Sequence, residues 1–425
     1  MNKTRVVITG MGVVSPLGNS VKRLWQEALQ GTSGVRKINR FAIPDEVSSV
    51  AGLVEDYLPE SADVFNNYSG DDRAICFAMD ALNQALKQSG LDIKTEVSQS
   101  NVVSLALSSA VAAITSMERE FNKLSRQGLS SVSKSNLYAN YSVYKFNHIV
   151  DYISRAFEIN GRSLLLPTGC AGCLDALSYS VQLIRDGLSD VVISGASEAP
   201  ITPLVVSAFN KIGATSKKYN QTPDKASRPF DKDRDGFVLA EGCGILILES
   251  LEHALSRGAA ILAEIAGVGS SNNCYHMTNI PEDGLSIANA CQQAFDDAGI
   301  LPDEIDHINA HGSSTPQNDV AETNAFKRLF GKRYNQIPVT SNKSFLGHAL
   351  AASNALETIL SVQSLNDNLI PPTINLFNQD ERCDIDVVAD RSRKHEINTI
   401  LKNSSGFSGI HSSIVMKKWR HGNVL

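Results

Sequence analysis

The stretch Arg162-Ser163-Leu164-Leu165-Leu166-Pro167-Thr168-Gly169-Cys170-Ala171-Gly172-Cys173-Leu174-Asp175-Ala176-Leu177 sets the reading of the whole chain. Its apolar run stops at Pro167, Thr168-Gly169 supplies a turn, and Cys170 opens a helical pattern extending toward Arg185. A strand that turns directly into a helix is a unit of a layered α/β fold, and the same alternation recurs on either side. The spacing predicts short apolar strands over Arg5–Thr9, Val102–Leu107, Val191–Ser194, Cys243–Leu248 and His307–Ala310. Amphipathic helices are expected over Val21–Gln30, with Asn19 or Ser20 as N-cap and Gly31 after its end, and over Asp283–Ala298.

The 425 residues suffice for two or three domains or for one large α/β unit, and no Pro-, Gly- or Ser-rich linker divides them. A soft boundary follows the glycine-rich Gly236–Gly244 segment, giving halves 1–250 and 251–425. A strand, a turn and a polar site occur in each half, at Leu164–Cys170 and at Ile305–His311, which hints at structural duplication. With 42% hydrophobic and 20% charged residues the chain is globular, not disordered or fibrous. A net charge of −6 without a basic block argues against a nucleic-acid or anionic-membrane partner. Seven scattered cysteines are too few for a disulfide framework and fit a reducing compartment. The N-terminus is too short in apolar residues for a signal peptide, and the long uncharged stretch Val97–Met117 is too rich in serine for a membrane span. A cytoplasmic location is therefore expected.

Three polar blocks carry chemistry. Cys170 at the start of a helix feels the positive end of its dipole, which favours thiolate, and its small neighbours let a substrate approach. A nucleophile and a buried structural cysteine both fit these residues. Cys170 and Cys173 also form a C-x-x-C, but no second such pair exists to complete a zinc site, and its place in the middle of a large chain does not suit a thioredoxin-like motif. In Ile305-Asp306-His307-Ile308-Asn309-Ala310-His311-Gly312-Ser313-Ser314-Thr315-Pro316, strand geometry separates His307 from His311 by about 13 Å, too far for one metal ion. His311, at the strand end, is the better catalytic candidate, and His307 the structural one. The third block is Ser341-Asn342-Lys343-Ser344-Phe345-Leu346-Gly347-His348, followed by a helix of small residues. Asp231-Lys232-Asp233-Arg234-Asp235-Gly236 begins like a calcium loop, but the twelfth position is Gly242 and Pro229-Phe230 stand where a helix should end. It reads as a turn closed by internal hydrogen bonds.

Together Thr168-Gly169-Cys170, Asn309 through Pro316 and Lys343 through His348 resemble the three active-site blocks of the condensing enzymes, the β-ketoacyl-[acyl carrier protein] synthases. The separations, 141 residues from Cys170 to His311 and 37 from His311 to His348, are similar to those of that family's Cys-His-His set. Supporting blocks are Arg5–Gly12, Arg228–Leu239 and Gly406-Phe407-Ser408-Gly409, so the resemblance spans nearly the whole chain. Ser109–Ala113, Leu174-Asp175-Ala176, Asn273–Thr278, Gln317-Asn318-Asp319 and Ser405-Gly406-Phe407 look closest to the ketosynthase α subunits of type II aromatic polyketide synthases. Two positions depart from the family: Gly172-Cys173 replaces a usual Ser-Gly, and Ser408 a usual Gly.

The resemblance implies a thiolase-like fold of two similar halves in a five-layer αβαβα arrangement. It implies decarboxylative Claisen condensation of malonyl-carrier with an acyl or polyketide chain held on Cys170, with His311, Lys343 and His348 as the other catalytic residues. Backbone N–H groups of Cys170 and Phe407 would form the oxyanion hole, Phe407 would gate access, and Ser313 and Thr315 would contact pantetheine. No intrinsic cofactor or metal is implied, because substrates arrive on the phosphopantetheine of an acyl carrier protein. The expected partners are that carrier and a homologous, chain-length-factor-like subunit in a heterodimer, which lacks the cysteine. The alternatives are a homodimeric fatty-acid synthase of the same chemistry and a non-catalytic carrier-binding homologue.

Overall fold

The computed structural model describes residues 3–58, 72–127 and 146–420. Its centre is the nine-residue strand β1 (Val6–Val14), buried along its whole length. The sequence pattern ends this strand near Gly10, yet it continues to Val14. Gly10 and Gly12 are points of close approach, not strand breakers: a Cβ at Gly12 would fall 1.9 Å from the Ala81 carbonyl oxygen. The bare backbone thus lets helix Arg73–Ser89 lie directly on the strand. Arg5, read as strand, lies just outside it and donates to Glu264 from Nε at 3.0 Å and Nη2 at 2.7 Å.

The remaining strands of the main sheet are β2 (Val103–Ser108), β3 (Ser163–Leu166), β4 (Val191–Glu198), β5 (Gly242–Ser250), β6 (Ala263–Asn272), β7 (His307–Asn309), β8 (Val339–Thr340), β9 (Thr399–Ser405) and β10 (Ile410–Lys417). Their order is β8-β7-β9-β10-β6-β1-β5-β4-β2-β3. Five strands come from each half of the chain, and the two sets join where Val6–Ile8 pair with Ala263–Ile265. The helices used below are α1 (Val21–Gln30), α2 (Arg73–Ser89), α3 (Gly172–Arg185), α4 (Leu285–Ala298), α5 (Asn318–Phe330) and α6 (Ala351–Asp367). Helix α1 has the expected bounds, with Ser20 accepting the Arg23 N–H and Gly31 left-handed at φ 66°. Helix α4 starts two residues later than Asp283, because the Asp283 carboxylate accepts the Leu285 N–H at 3.0 Å.

Alternation along single strands builds the layers. In β5, Leu246 and Leu248 enter a core shared with α3 and α6, while Cys243, Ile245 and Ile247 enter the core beneath α2. Helices α4 and α5 cover the outer face of the second half through Ala294, Phe295, Val320 and Phe326. Helices thus cover both faces of each five-strand half of the sheet, the thiolase-like arrangement, with α3 and α6 packed on each other in the middle. The Asp231 turn is closed by protein donors: its carboxylate accepts from Arg228, Asp233, Phe377 and Asn378. Among the described residues no helix is long and apolar enough to cross a membrane.

Candidate active site

The Cys170 segment leaves β3 at Leu166 and makes one 3₁₀ turn, Gly169–Ala171, before α3 begins at Gly172. Gly172 is needed here because a Cβ would sit 2.1 Å from Ser108 Oγ, the hydroxyl that donates to the Leu166 carbonyl at 2.6 Å. Thr168 and Ser412 both donate to Asp175, which ties the turn to β10. The Cys170 carbonyl accepts from Asn354 Nδ2 and, at 3.4 Å, from Ser404 Oγ. The nucleophile candidate is thus held through its backbone, and its half-buried thiol is left to the cavity.

That cavity, of about 310 Å³, is lined by Cys170, His311, His348 and Phe407, with Ser313 and Thr315 along its wall. His311 and His348 lie with ring centroids 5.3 Å apart and planes near perpendicular. His311 Nδ1 is 3.3 Å from Ser404 Oγ, and His348 Nδ1 is 3.0 Å from Ser353 Oγ. With Nδ1 so engaged, Nε2 is the nitrogen each ring can offer to a molecule in the cavity. Lys343 does not line the cavity. Its ammonium is buried behind the histidines and donates to Glu357 at 2.6 Å. His307 is buried on β7 and takes no part in the cavity wall.

Burial pushes the Cys170 thiol up to about 12; the nearby Lys343 ammonium opposes this and Glu198 adds to it. The helix-start position alone would favour thiolate, and burial outweighs it. Backbone N–H groups of Phe407 and of Cys170 itself both hydrogen-bond the sulfur, so two donors converge on it. Burial holds His348 well below the usual imidazole range, followed by the Lys343 and Lys402 ammoniums. The same causes, with His348 and His411 added, hold His311 down. The resting cavity therefore presents a thiol and two neutral imidazoles, not a thiolate–imidazolium pair.

Several residues at the site carry no local sequence signal. Phe209 and Phe237 meet edge to face at 5.5 Å and wall the cavity beside Phe407. Glu198 accepts from Ser109 Oγ at 3.0 Å and from the Ala110, Val111 and Ala351 N–H groups, and burial raises its carboxyl to about 8. Glu322 accepts the His311 and Gly312 N–H groups at 2.6 and 2.8 Å, fixing the turn that carries His311. The two departures lie in different surroundings. Cys173 packs in the central core, whereas Ser408 sits left-handed at φ 64° in the Phe407 turn and donates its N–H to the Met277 carbonyl at 2.7 Å.

Acid should destabilise the fold for a related reason. Burial holds His307 down to about 3 and His411 to about 4, so between pH 6.5 and 5 the unfolded chain binds protons that the native one does not. Their contribution is complete above pH 6.5 and is lost as pH falls, at about 2 kcal/mol per histidine by pH 5. A urea midpoint clearly lower at pH 5 than at pH 7.5 is expected, and His411→Gln should narrow the gap.

Comparison with known proteins agrees with this geometry. Residues 3–254 match "Beta-ketoacyl synthase, N-terminal domain" and residues 262–377 match "Beta-ketoacyl synthase, C-terminal domain". The chain is 38% identical to 3-oxoacyl-[acyl-carrier-protein] synthase 2 of Coxiella burnetii, covering 98% of this chain and 99% of that one. It is 40% identical to the actinorhodin polyketide putative beta-ketoacyl synthase 1 of Streptomyces coelicolor, covering 98% and 89%. A solved complex of a type II polyketide acyl-carrier protein with its hexaketide-bound ketosynthase superposes with TM-score 0.89 at 37% identity, covering 99% and 100%. The ishigamide ketosynthase/chain length factor superposes with TM-score 0.88 at 30% identity, covering 99% and 100%. On this agreement of fold, cavity and sequence along its length, the chain belongs to the β-ketoacyl synthase family, the acyltransferase-class condensing enzymes.

Proposed function

We propose that the chain is the catalytic ketosynthase subunit of a type II polyketide system, extending a chain held on Cys170 with malonyl units delivered by an acyl carrier protein. The observation that carries this reading is the convergence of Cys170, His311 and His348 on one cavity, with the Phe407 and Cys170 N–H groups aimed at the sulfur. In loading, the thiol proton passes to a neutral imidazole, the sulfur bonds to the acyl carbon, and the carrier thiol leaves and takes the proton. In condensation the malonyl carboxylate departs as CO2, and its electron pair forms an enolate whose oxygen accepts from Nε2–H of His311 and His348, the ring that served as base in loading having exchanged its Nδ1 proton for one at Nε2 through solvent. The enolate carbon attacks the Cys170 thioester, the Phe407 and Cys170 N–H groups hold the resulting oxyanion, and its collapse expels the Cys170 thiolate, which takes a proton from water to restore the thiol. Ser313 and Thr315, whose hydroxyls lie 2.9 Å apart on the cavity wall, supply hydrogen bonds to the pantetheine arm.

A homologous partner subunit is supported by the sheet edge. Strand β3 pairs with β2 on one side and with no strand on the other among the described residues, and Leu164–Leu166 are half-buried. Such an apolar edge invites a strand from a second subunit. A homodimeric synthase of fatty-acid type is the competing reading, favoured by the 38% identity to the Coxiella burnetii enzyme. Mass spectrometry after incubation with acyl- and malonyl-carrier, with and without a cysteine-free homologue, separates the two. Acylation confined to Cys170 with growth dependent on the homologue is expected. Full growth without it would establish the homodimer, and no adduct at Cys170 under any condition would discard both.

A further inference from the structure

Among the described residues two lysines, Lys343 and Lys402, have no exposed surface, and the mechanism above gives neither a step. Lys402, on β9, has no exposed surface, and its ammonium lies 2.9 Å from Glu357 Oε2. The other oxygen of that carboxylate, Oε1, is 2.6 Å from the Lys343 ammonium. Lys402 also donates to the Asn403 carbonyl at 2.6 Å. One buried carboxylate therefore serves two buried ammoniums, an arrangement with a surplus positive charge in a medium that screens poorly. Lys402 lies two residues before Ser404, on the same side of the strand, and Ser404 is the hydroxyl beside His311.

We propose that Lys402 is a positioning residue of the condensing reaction: it occupies the second oxygen of Glu357, so the carboxylate cannot neutralise Lys343, and the buried cluster keeps a positive field on His311 and His348. Lys402 faces Glu357 from α6, Lys343 from the turn before His348, Glu322 from α5, and the Cys173 and Cys291 thiols from α3 and α4. His311 in turn faces Lys343, His348, Lys402 and His411, with the Glu322 carboxylate on its backbone, and His348 faces Lys343 and Lys402. Removing the Lys402 charge leaves a balanced Lys343–Glu357 pair, so both imidazoles protonate more readily. The unprotonated ring nitrogen needed to take the thiol proton is then lost at a higher pH. Burial lowers Lys402 itself to about 8, so its ammonium is present across the pH range in which the histidines matter.

The test labels histidine at ¹³Cε1 in the full chain and assigns the two signals with His311→Asn and His348→Asn. In Lys402→Met both imidazoles are expected to titrate about one pH unit higher than in wild type. Lys402→Arg should keep the wild-type position. The double variant Lys402→Met/Glu357→Gln, which again leaves one surplus charge, should return toward it. The acidic limb of acyl loading onto Cys170 should move with the imidazoles. Titrations in Lys402→Met that superimpose on wild type, or a double variant that stays with the single one, would overturn the proposal. Should Lys402→Met not fold, Lys402→Gln carries the same expectation. The kinetic arm rests on the condensing role proposed above, whereas the NMR arm does not. A wild type that takes no acyl group onto Cys170 counts against that role, and unmoved imidazoles count against Lys402.

Discussion

Replacing Cys170 by alanine is expected to abolish acyl loading and condensation, by a factor on the order of 10⁴ or more. No neighbouring thiol can substitute. Cys173 is one helical turn away, but it is fully buried in the central core and does not line the cavity. The fold should survive, because Asn354 and Ser404 grip the Cys170 carbonyl and not its side chain. Intact mass after incubation with acyl-carrier checks this directly: wild type gains the acyl mass and the variant gains none. Malonyl decarboxylation should persist in the variant, since both histidines remain. An acyl adduct on Cys170→Ala with the wild-type melting temperature would show that another residue is the nucleophile.

His311→Ala should give the complementary defect, an enzyme that loads but condenses poorly. In the proposed mechanism the ring supplies one of the two donors to the enolate oxygen, and loss of such a donor from a water-poor site costs about 10²- to 10³-fold. His348 remains available to take the thiol proton, so the acyl adduct should form and accumulate. The N–H groups of residues 311 and 312 still bond Glu322, so the turn keeps its shape. The measurement is CO2 release and product formation alongside adduct mass. Loss of loading equal to the loss of condensation would mean that His311, not His348, is the base for the thiol, and would reverse the division of labour proposed here.

The residues that order the polypeptide locally were legible in its sequence. The cap at Ser20, the left-handed Gly31 and the β3–turn–α3 unit around Cys170 are written in neighbouring positions; Cys170 and His311 are candidates within their own short motifs, whereas His348 becomes one only through the resemblance to the condensing enzymes. Legibility failed where a residue's role depends on distant chain. Gly10 and Gly12 read as the end of a strand because nothing nearby announces the helix that lies on them. Glu357 sits in a helix of small and apolar residues, and its two lysine partners are 14 and 45 positions away. The thiol at Cys170 illustrates the same limit in electrostatics. Its place before α3 predicts an easily ionised sulfur, but burial set by residues from both halves overrules the helix end.

The middle layer has a consequence for cooperativity. Helix α3 belongs to the first half and α6 to the second, and the core around them draws on residues from Val6 to Met416. Each half keeps an outer core of its own, Val14 to Ile247 beneath α2 and chiefly Ile287 to Val415 beneath α4 and α5, but the inner core is shared, so a fragment cut after residue 250 would expose the leucines that β5 turns toward α6. Calorimetry should record one endotherm, not two, despite a chain long enough for several domains. The same seam constrains recombination between relatives. Exchanging one half for that of a homologue transplants half of an interlocked interior, so a chimera should recover its stability only when the α3–α6 contacts are exchanged as a matched pair.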